Sequence, residues 1–363
     1  MALWVTAAAA CHAIAISAAV ISIGVASRRF RVISTIKELS ALQATFLEPA
    51  LAFSALSSLT SADFATGAPL LLWAPVHAVI ALGIAYLLLP SSSRRGALLL
   101  CSGFGNAGAL PNAIVPVMLP ASAVSRGLLF VQVYMVPWRF LLWSIGPALL
   151  RPAQDKKNDD ESKVNGAASR PSLRQLLLPP PSIGSLLGLV LACAPSVVRG
   201  LFFNGGPLAF VIAAAQQAGA ASPPVALIGL GFALSGGERE RGGSGANGKE
   251  SASNNFSKRE LAVCLLTRLL FTPALHLVLF FALSAPIAHE HNRQQSSARG
   301  VLADPLTLVL LLQAGMPSAA SVQALFQRSG ADTAPLGSLL AWQYMLAAPA
   351  IVLHTVIASK VLS

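Results

Sequence analysis

Charge is scarce in this sequence. Of its 363 residues only 11% are Asp, Glu, Lys or Arg, against about 25% in an ordinary soluble domain. Hydrophobic residues make up 55%, and the mean hydropathy is +0.67. A water-soluble one-domain enzyme of this composition would expose apolar surface it cannot cover, and a disordered chain needs the opposite balance, so both classes are excluded. Cysteine is scarce as well. The four cysteines (Cys11, Cys101, Cys193 and Cys264) lie in apolar runs without Cys-x-x-Cys spacing, which excludes a disulfide framework and gives no zinc site. No Ser-His-Asp order, His-Glu-x-x-His pair or phosphate-binding glycine loop is present, so neither an enzyme nor a bound cofactor is expected. The net charge of +11 is not accompanied by a basic stretch interleaved with aromatics, so no nucleic-acid partner is expected.

What is there instead is length in apolar runs. A spanning helix needs about 20 mostly apolar residues, and ten segments qualify: 3–26, 40–60, 67–90, 97–120, 127–150, 182–203, 207–235, 260–285, 303–326 and 335–360. The expectation is an all-α integral membrane protein of about ten helices. No basic region precedes the first segment, and Arg28, Arg29 and Arg31 follow it, so it reads as a retained helix and not a signal peptide. Two stretches are polar, 151–181 with its mixed charges and Pro179-Pro180-Pro181, and 236–259, rich in Gly, Ser, Asn, Lys and Glu. Both read as hydrophilic loops. Most of the 25 Lys and Arg residues fall in the loops after segments 1, 3, 5, 7 and 9. By the positive-inside rule those loops are cytosolic and both termini are lumenal or extracellular.

The two halves of the chain resemble each other in order. Phe46-Leu47-Glu48-Pro49-Ala50-Leu51 of the second segment pairs with Ala221-Ser222-Pro223-Pro224-Val225-Ala226 of the seventh. Leu71-Leu72-Trp73-Ala74-Pro75 pairs with Leu269-Leu270-Phe271-Thr272-Pro273, Gly108-Ala109-Leu110-Pro111 with Ala314-Gly315-Met316-Pro317, and Tyr134-Met135 with Tyr344-Met345. The expected organisation is a first five-helix repeat over 1–150, a loop over 151–181 and a second five-helix repeat over 182–363. Five helices per half invert the second half, the architecture of many secondary transporters, which bind substrate near the midplane where broken helices meet.

The fourth and ninth segments supply the breaks. The fourth carries Gly103, Gly105, Gly108, Pro111 and Pro116 mid-span, with Asn106 and Asn112 beside them, and the ninth reads Gln313-Ala314-Gly315-Met316-Pro317-Ser318. Proline removes a donor, glycine tolerates an opened backbone, and such backbone survives at this depth only where protein or a water-filled cavity satisfies it. Within the spans lie one acid, Glu48, and two bases, Arg139 and Arg268. Intramembrane charges are costly and tend to be functional. Their sum is positive, which favours an anionic substrate, although Arg268 and Arg139 have the alternative of snorkelling. Glu48 has three open roles: pairing with an arginine, carrying a coupling proton, or capping the backbone at Pro49. His77, His276 and His354 read as packed, hydrogen-bonded helix residues.

These residues resemble a known family. Gly105-Asn106-Ala107-Gly108-Ala109-Leu110-Pro111 is similar to the fourth-helix segment of auxin efflux carriers, the PIN-formed and PIN-like membrane transport proteins. The motifs Phe46–Leu51, Ser222–Gly231, Arg268–Pro273 and Gln313–Ala319 resemble their second, seventh, eighth and ninth helices. The resemblance implies the sodium/proton-antiporter-like fold. Segments 1, 2, 6 and 7 would form a scaffold, and 3–5 with 8–10 a transport domain. Asn106, Pro111, Asn112, Gln313, Pro317 and Ser318 would bind a substrate carboxylate where the broken helices cross. It also implies transport of auxin (indole-3-acetic acid) or a related organic anion, pairing of copies through the scaffold and, from the short central loop, residence in the endoplasmic reticulum and not the plasma membrane. Glu48 and the absence of an Asn beside Pro317 depart from the family pattern. A cation-coupled symporter or antiporter of the same fold, and a non-transporting receptor, remain open readings at this level.

Overall fold

The computed structural model describes residues 2–30, 36–89, 94–150, 179–234, 256–291, 304–329 and 334–361. Most of both polar stretches lies outside the described residues. Among the described residues all regular elements are helical. In chain order they are α1 (Ala2–Arg29), α2 (Ile36–Leu42), α3 (Glu48–Ser57), α4 (Ser61–Leu88), α5 (Arg95–Gly103), α6 (Ala109–Met118), α7 (Ala121–Leu150), α8 (Pro180–Ala192), α9 (Ser196–Phe202), α10 (Ala209–Ala220), α11 (Ser222–Leu234), α12 (Lys258–Leu266), α13 (Thr272–His291), α14 (Pro305–Gly315), α15 (Ala320–Arg328) and α16 (Ala334–Val361). Among the described residues six stretches are long and apolar enough to cross a membrane by length and composition: Glu38–Ser57, Ser61–Leu88, Ala121–Leu150, Ala209–Phe232, Lys258–Phe281 and Pro335–Ala358. Shorter apolar helices, Ala109–Met118, Pro180–Ala192 and Pro305–Gly315, lie between them.

Local chemistry sets where the helices start and break. Thr60 caps α4 by accepting from the Asp63 N–H at 3.1 Å, and Asp304 caps α14 by accepting from Thr307 N–H at 2.8 Å. Ser257 and Glu260 form a reciprocal capping box on α12. Two π-helical turns, Gln43–Leu47 and Thr267–Phe271, each end one residue before the residue that precedes a proline, Pro49 or Pro273. A proline ring crowds the carbonyl four residues back. Widening the turn relieves that crowding, and Glu48 N–H and Thr272 N–H instead reach the carbonyls of Gln43 and Thr267. Besides the breaks expected in the fourth and ninth segments, the sixth is interrupted between α8 and α9 at Cys193–Pro195 and the seventh at Ala221 between α10 and α11. Pro195 and the Pro223-Pro224 pair account for these.

Small residues allow the helices to approach closely, as expected where lipid supplies no hydrophobic drive between them. α1 lies along α11, with Gly24 against the Ile228 carbonyl and Gly231 against that of Ile21; a Cβ at either glycine would strike backbone. α3 packs on α8 through Gly184, which abuts the Pro49 backbone. The larger buried cluster joins α4, α5, α6, α7, α14, α15 and α16 through Leu70, Leu100, Ile114, Phe130, Leu142, Leu308 and Leu339, among others. Outward-facing apolar side chains such as Leu72, Val79 and Leu87 on α4 remain exposed, as a lipid-facing surface requires.

Overpacking a close backbone approach costs about 1–3 kcal/mol. Gly231→Leu is therefore expected to lower the thermal unfolding midpoint of the detergent-purified protein. Gly83→Leu, at a glycine with open space around it, is expected to leave it unchanged; differential scanning fluorimetry of the two variants checks this.

Candidate functional site

Two interrupted helices meet at the centre of the site. α5 stops at Gly103 and α6 resumes at Ala109; α14 stops at Gly315 and α15 resumes at Ala320. The extended backbones between them pair with each other. Gly105 and Ser318 form an antiparallel bridge, Asn106 N–H donates to the Pro317 carbonyl at 2.6 Å, and Ala319 N–H donates to the Phe104 carbonyl at 3.0 Å. Each break thus supplies hydrogen-bond partners to the other, which answers the demand that backbone groups be satisfied at membrane depth.

Side chains complete the joint. Ser318 Oγ donates to the Cys101 carbonyl, Ser318 N–H donates to Gln343 Oε1 at 2.7 Å, and the Tyr344 hydroxyl donates to the Ser318 carbonyl at 3.1 Å. Gln313 Nε2 donates to the Ala107 carbonyl at 2.9 Å. Arg268, on the π turn before α13, is fully buried. Its Nε donates to the Met316 carbonyl at 2.6 Å, its Nη2 to Gln313 O at 3.4 Å and its Nη1 to Ser102 O at 3.4 Å, beside His77 Nε2 at 3.3 Å. Gly105 makes room for it: a Cβ there would collide with the guanidinium. The guanidinium therefore does not snorkel; it gathers the carbonyls that the breaks leave free.

On the other side of the joint lies a crevice with about 420 Å³ of empty space, its solvent mouth included. Its walls are Gln43, Glu48 and Leu51; Asn106 to Ala109 and Asn112; Gln132, Met135, Trp138 and Arg139 of α7; Ser222, Pro223 and Ala226 of α11; and Ala319 to Ser321. A neighbouring crevice shares Gln43, Glu48, Ala226, Ala320 and Ser321 and continues past Ser40 and Gln323. Asn106 is engaged: its Nδ2 donates to the Tyr344 hydroxyl at 2.6 Å, and its Oδ1 accepts from Ala109 and Leu110 N–H at 2.9 and 3.4 Å, capping α6. Asn112 Nδ2 is buried with no hydrogen-bond partner. Arg139, also buried, donates from Nη1 to Ser185 Oγ at 3.1 Å and from Nη2 to Gln132 Oε1 at 3.0 Å, while its Nε is buried without a partner. Glu48 Oε1 accepts from Gln43 Nε2 at 3.3 Å, and Glu48 and Arg139 form no ion pair with each other.

Of the residues singled out from sequence, Glu48, Asn106, Asn112 and Arg139 share this crevice. Pro111 is buried inside α6 and does not line it. Gln313 and Arg268 line a smaller void on the far side with His77 and Tyr134, and Pro317 and Ser318 belong to the joint itself. Sequence reasoning passed over Gln43, Gln132, Ser185, Ser222 and Ser321. For Gln132 a signal existed, since it stands seven residues before Arg139 on one helix, two turns away on the same face. For Ser185, which reaches Arg139 from another helix, none did.

A family model described as membrane transport protein matches residues 20–355. The chain belongs to that family, the family of auxin efflux carrier and PIN-like membrane transport proteins, and the matched range contains every residue lining the crevice. No curated protein matches the chain. The family and the long apolar helices together make this an integral, multi-pass membrane transport protein.

Hydrogen bonds from a charged donor contribute about 1.5–3 kcal/mol each. Arg268→Ala is expected to lower the unfolding midpoint strongly or to prevent recovery of monodisperse protein, as read by fluorimetry and size-exclusion chromatography. Asn112→Ala, which removes an amide nitrogen with no partner, is expected to leave both unchanged.

Proposed function

We propose that this chain is a secondary transporter or facilitator of a small organic carboxylate, with indole-3-acetic acid as the first candidate, and that it works by alternating access at the paired helix breaks. The observation that carries the reading is that two side chains lining one crevice, Arg139 and Asn112, hold buried donors with no acceptor in the protein. A buried donor left unpaired costs about 1–3 kcal/mol. A carboxylate offers acceptors to both, and one of the two donors is cationic, which makes the stronger kind of hydrogen bond. The first turn of α6 faces the same space and adds the positive end of a helix dipole. Leu51, Met135, Trp138 and Ala226 provide an apolar wall suited to an aromatic ring.

The walls also suggest how the site would move. Gln43, Glu48 and Leu51 come from the second segment and Ser222, Pro223 and Ala226 from the seventh, both scaffold segments on the resemblance. The rest come from the fourth, fifth and ninth segments, which belong to the transport group. The reciprocal pairing of the fourth and ninth breaks supports reading the chain as two inverted five-helix repeats with crossing broken helices. A transport group sliding past the scaffold would carry the joint, and with it Asn112 and Arg139, from one face to the other. On this reading both termini are lumenal in the endoplasmic reticulum, the long loops are cytosolic, and copies pair through the scaffold.

The test is flux of labelled indole-3-acetic acid into proteoliposomes holding the purified protein, beside empty ones. Saturable flux is expected, with Asn112→Ala abolishing it and Arg139→Gln reducing it at least tenfold. Normal flux by correctly inserted Asn112→Ala protein would reject the site.

A further inference from the structure

The three charges counted along the spans do not act in one place. Arg268 lies behind the joint with its donors directed to backbone carbonyls, and it does not line the crevice. Among the described residues the ionisable groups that line it are Glu48 and Arg139, one of each sign, so their sum there is balanced, not positive. The continuation past Ser40 and Gln323 adds no other ionisable group. Yet the two opposite charges do not meet. Arg139 is held by the neutral partners Ser185 and Gln132, and Glu48 by Gln43 through one oxygen. The two charges attract each other across the crevice but no hydrogen bond joins them, and an ion out of water is best tolerated when it is directly paired. A simple anion would satisfy Arg139 and set a second negative charge near Glu48. A ligand with one negative and one positive group would satisfy both.

We propose that the crevice recognises a carboxylate that also bears an ammonium group, a zwitterion of the α-amino-acid type. Its carboxylate is directed to Arg139 and Asn112, and its ammonium to the Glu48 carboxylate that Gln43 orients. The proposal rests on the carboxylate-transport reading and adds to it the second point of recognition. Glu48 becomes a specificity-determining residue, and the apolar wall at Leu51, Met135 and Trp138 receives the side chain. Fixed charges of both signs select by rejecting ligands that leave one of them unpaired.

The experiment compares acids that differ only in the ammonium group. Tryptophan is set against indole-3-propionic acid, and leucine against 4-methylpentanoic acid, for binding to the full-length protein in nanodiscs by isothermal titration calorimetry, with indole-3-acetic acid alongside. At least tenfold tighter binding of the amino acid is expected in one pair or both. Glu48→Gln is expected to remove that preference while binding the deaminated acid as well as or better than the wild type, and this retained binding shows that the variant is folded. Equal binding within each pair, or a preference for the deaminated acid, overturns the inference and leaves the carboxylate reading standing. Absence of binding by both pairs and by indole-3-acetic acid rejects the carboxylate site, and the inference falls with it.

Discussion

The structure depends on one exchange of backbone hydrogen bonds. Two helices are interrupted among buried residues, where the freed groups need protein partners, and each interruption is the other's partner. Asn106 N–H to Pro317 O and Ala319 N–H to Phe104 O are the links, drawn between segments more than two hundred residues apart. Arg268 supplies donors for carbonyls the exchange does not reach. A guanidinium suits this task better than an ammonium would, because its planar fork directs donors to several acceptors at fixed angles. Its burial is tolerable because those acceptors replace its water.

From that joint the rest of the site follows. The break lets Asn106 cap α6, which sets the start of the helix and so the direction of Asn112, one turn further on. Gln132 on the neighbouring α7 and Ser185 on α8 hold Arg139 by its terminal nitrogens. The wall opposite is made by the π turn that Pro49 enforces, which carries Gln43 and presents Glu48. Irregular backbone, at the π turn before Pro49 and at the breaks before α6 and α15, thus supplies three of the five groups of wall residues, each irregularity traceable to a proline or glycine.

The arrangement divides the polar residues into two sets with different work. Ser318, Gln343, Tyr344 and Arg268 satisfy backbone or one another and hold the joint shut. Asn112 and Arg139 keep bonding capacity in reserve, on the face where a crevice exists. Buried polar atoms left unpaired are uncommon in native proteins, and two such donors, one of them on a cationic side chain, line the same crevice.

Much of this was legible in the chain alone. Apolar run length marked the helical segments, because a bilayer imposes that length on any spanning helix. The prolines and glycines near Asn106 and Pro317 marked the two breaks, because their effect on the backbone is local. The motifs around Gly105–Pro111 and Gln313–Ala319 pointed to the membrane transport family, whose model covers residues 20–355. Only the tertiary structure decided which charges share a space. Arg139 and Arg268 look alike as bases inside apolar runs, yet one lines the crevice beside Glu48 and the other lies behind the joint. A count of charges along the chain is positive; the crevice itself is balanced. Electrostatics depends on distance through the folded molecule, and distance between helices far apart in sequence is the quantity a sequence does not carry.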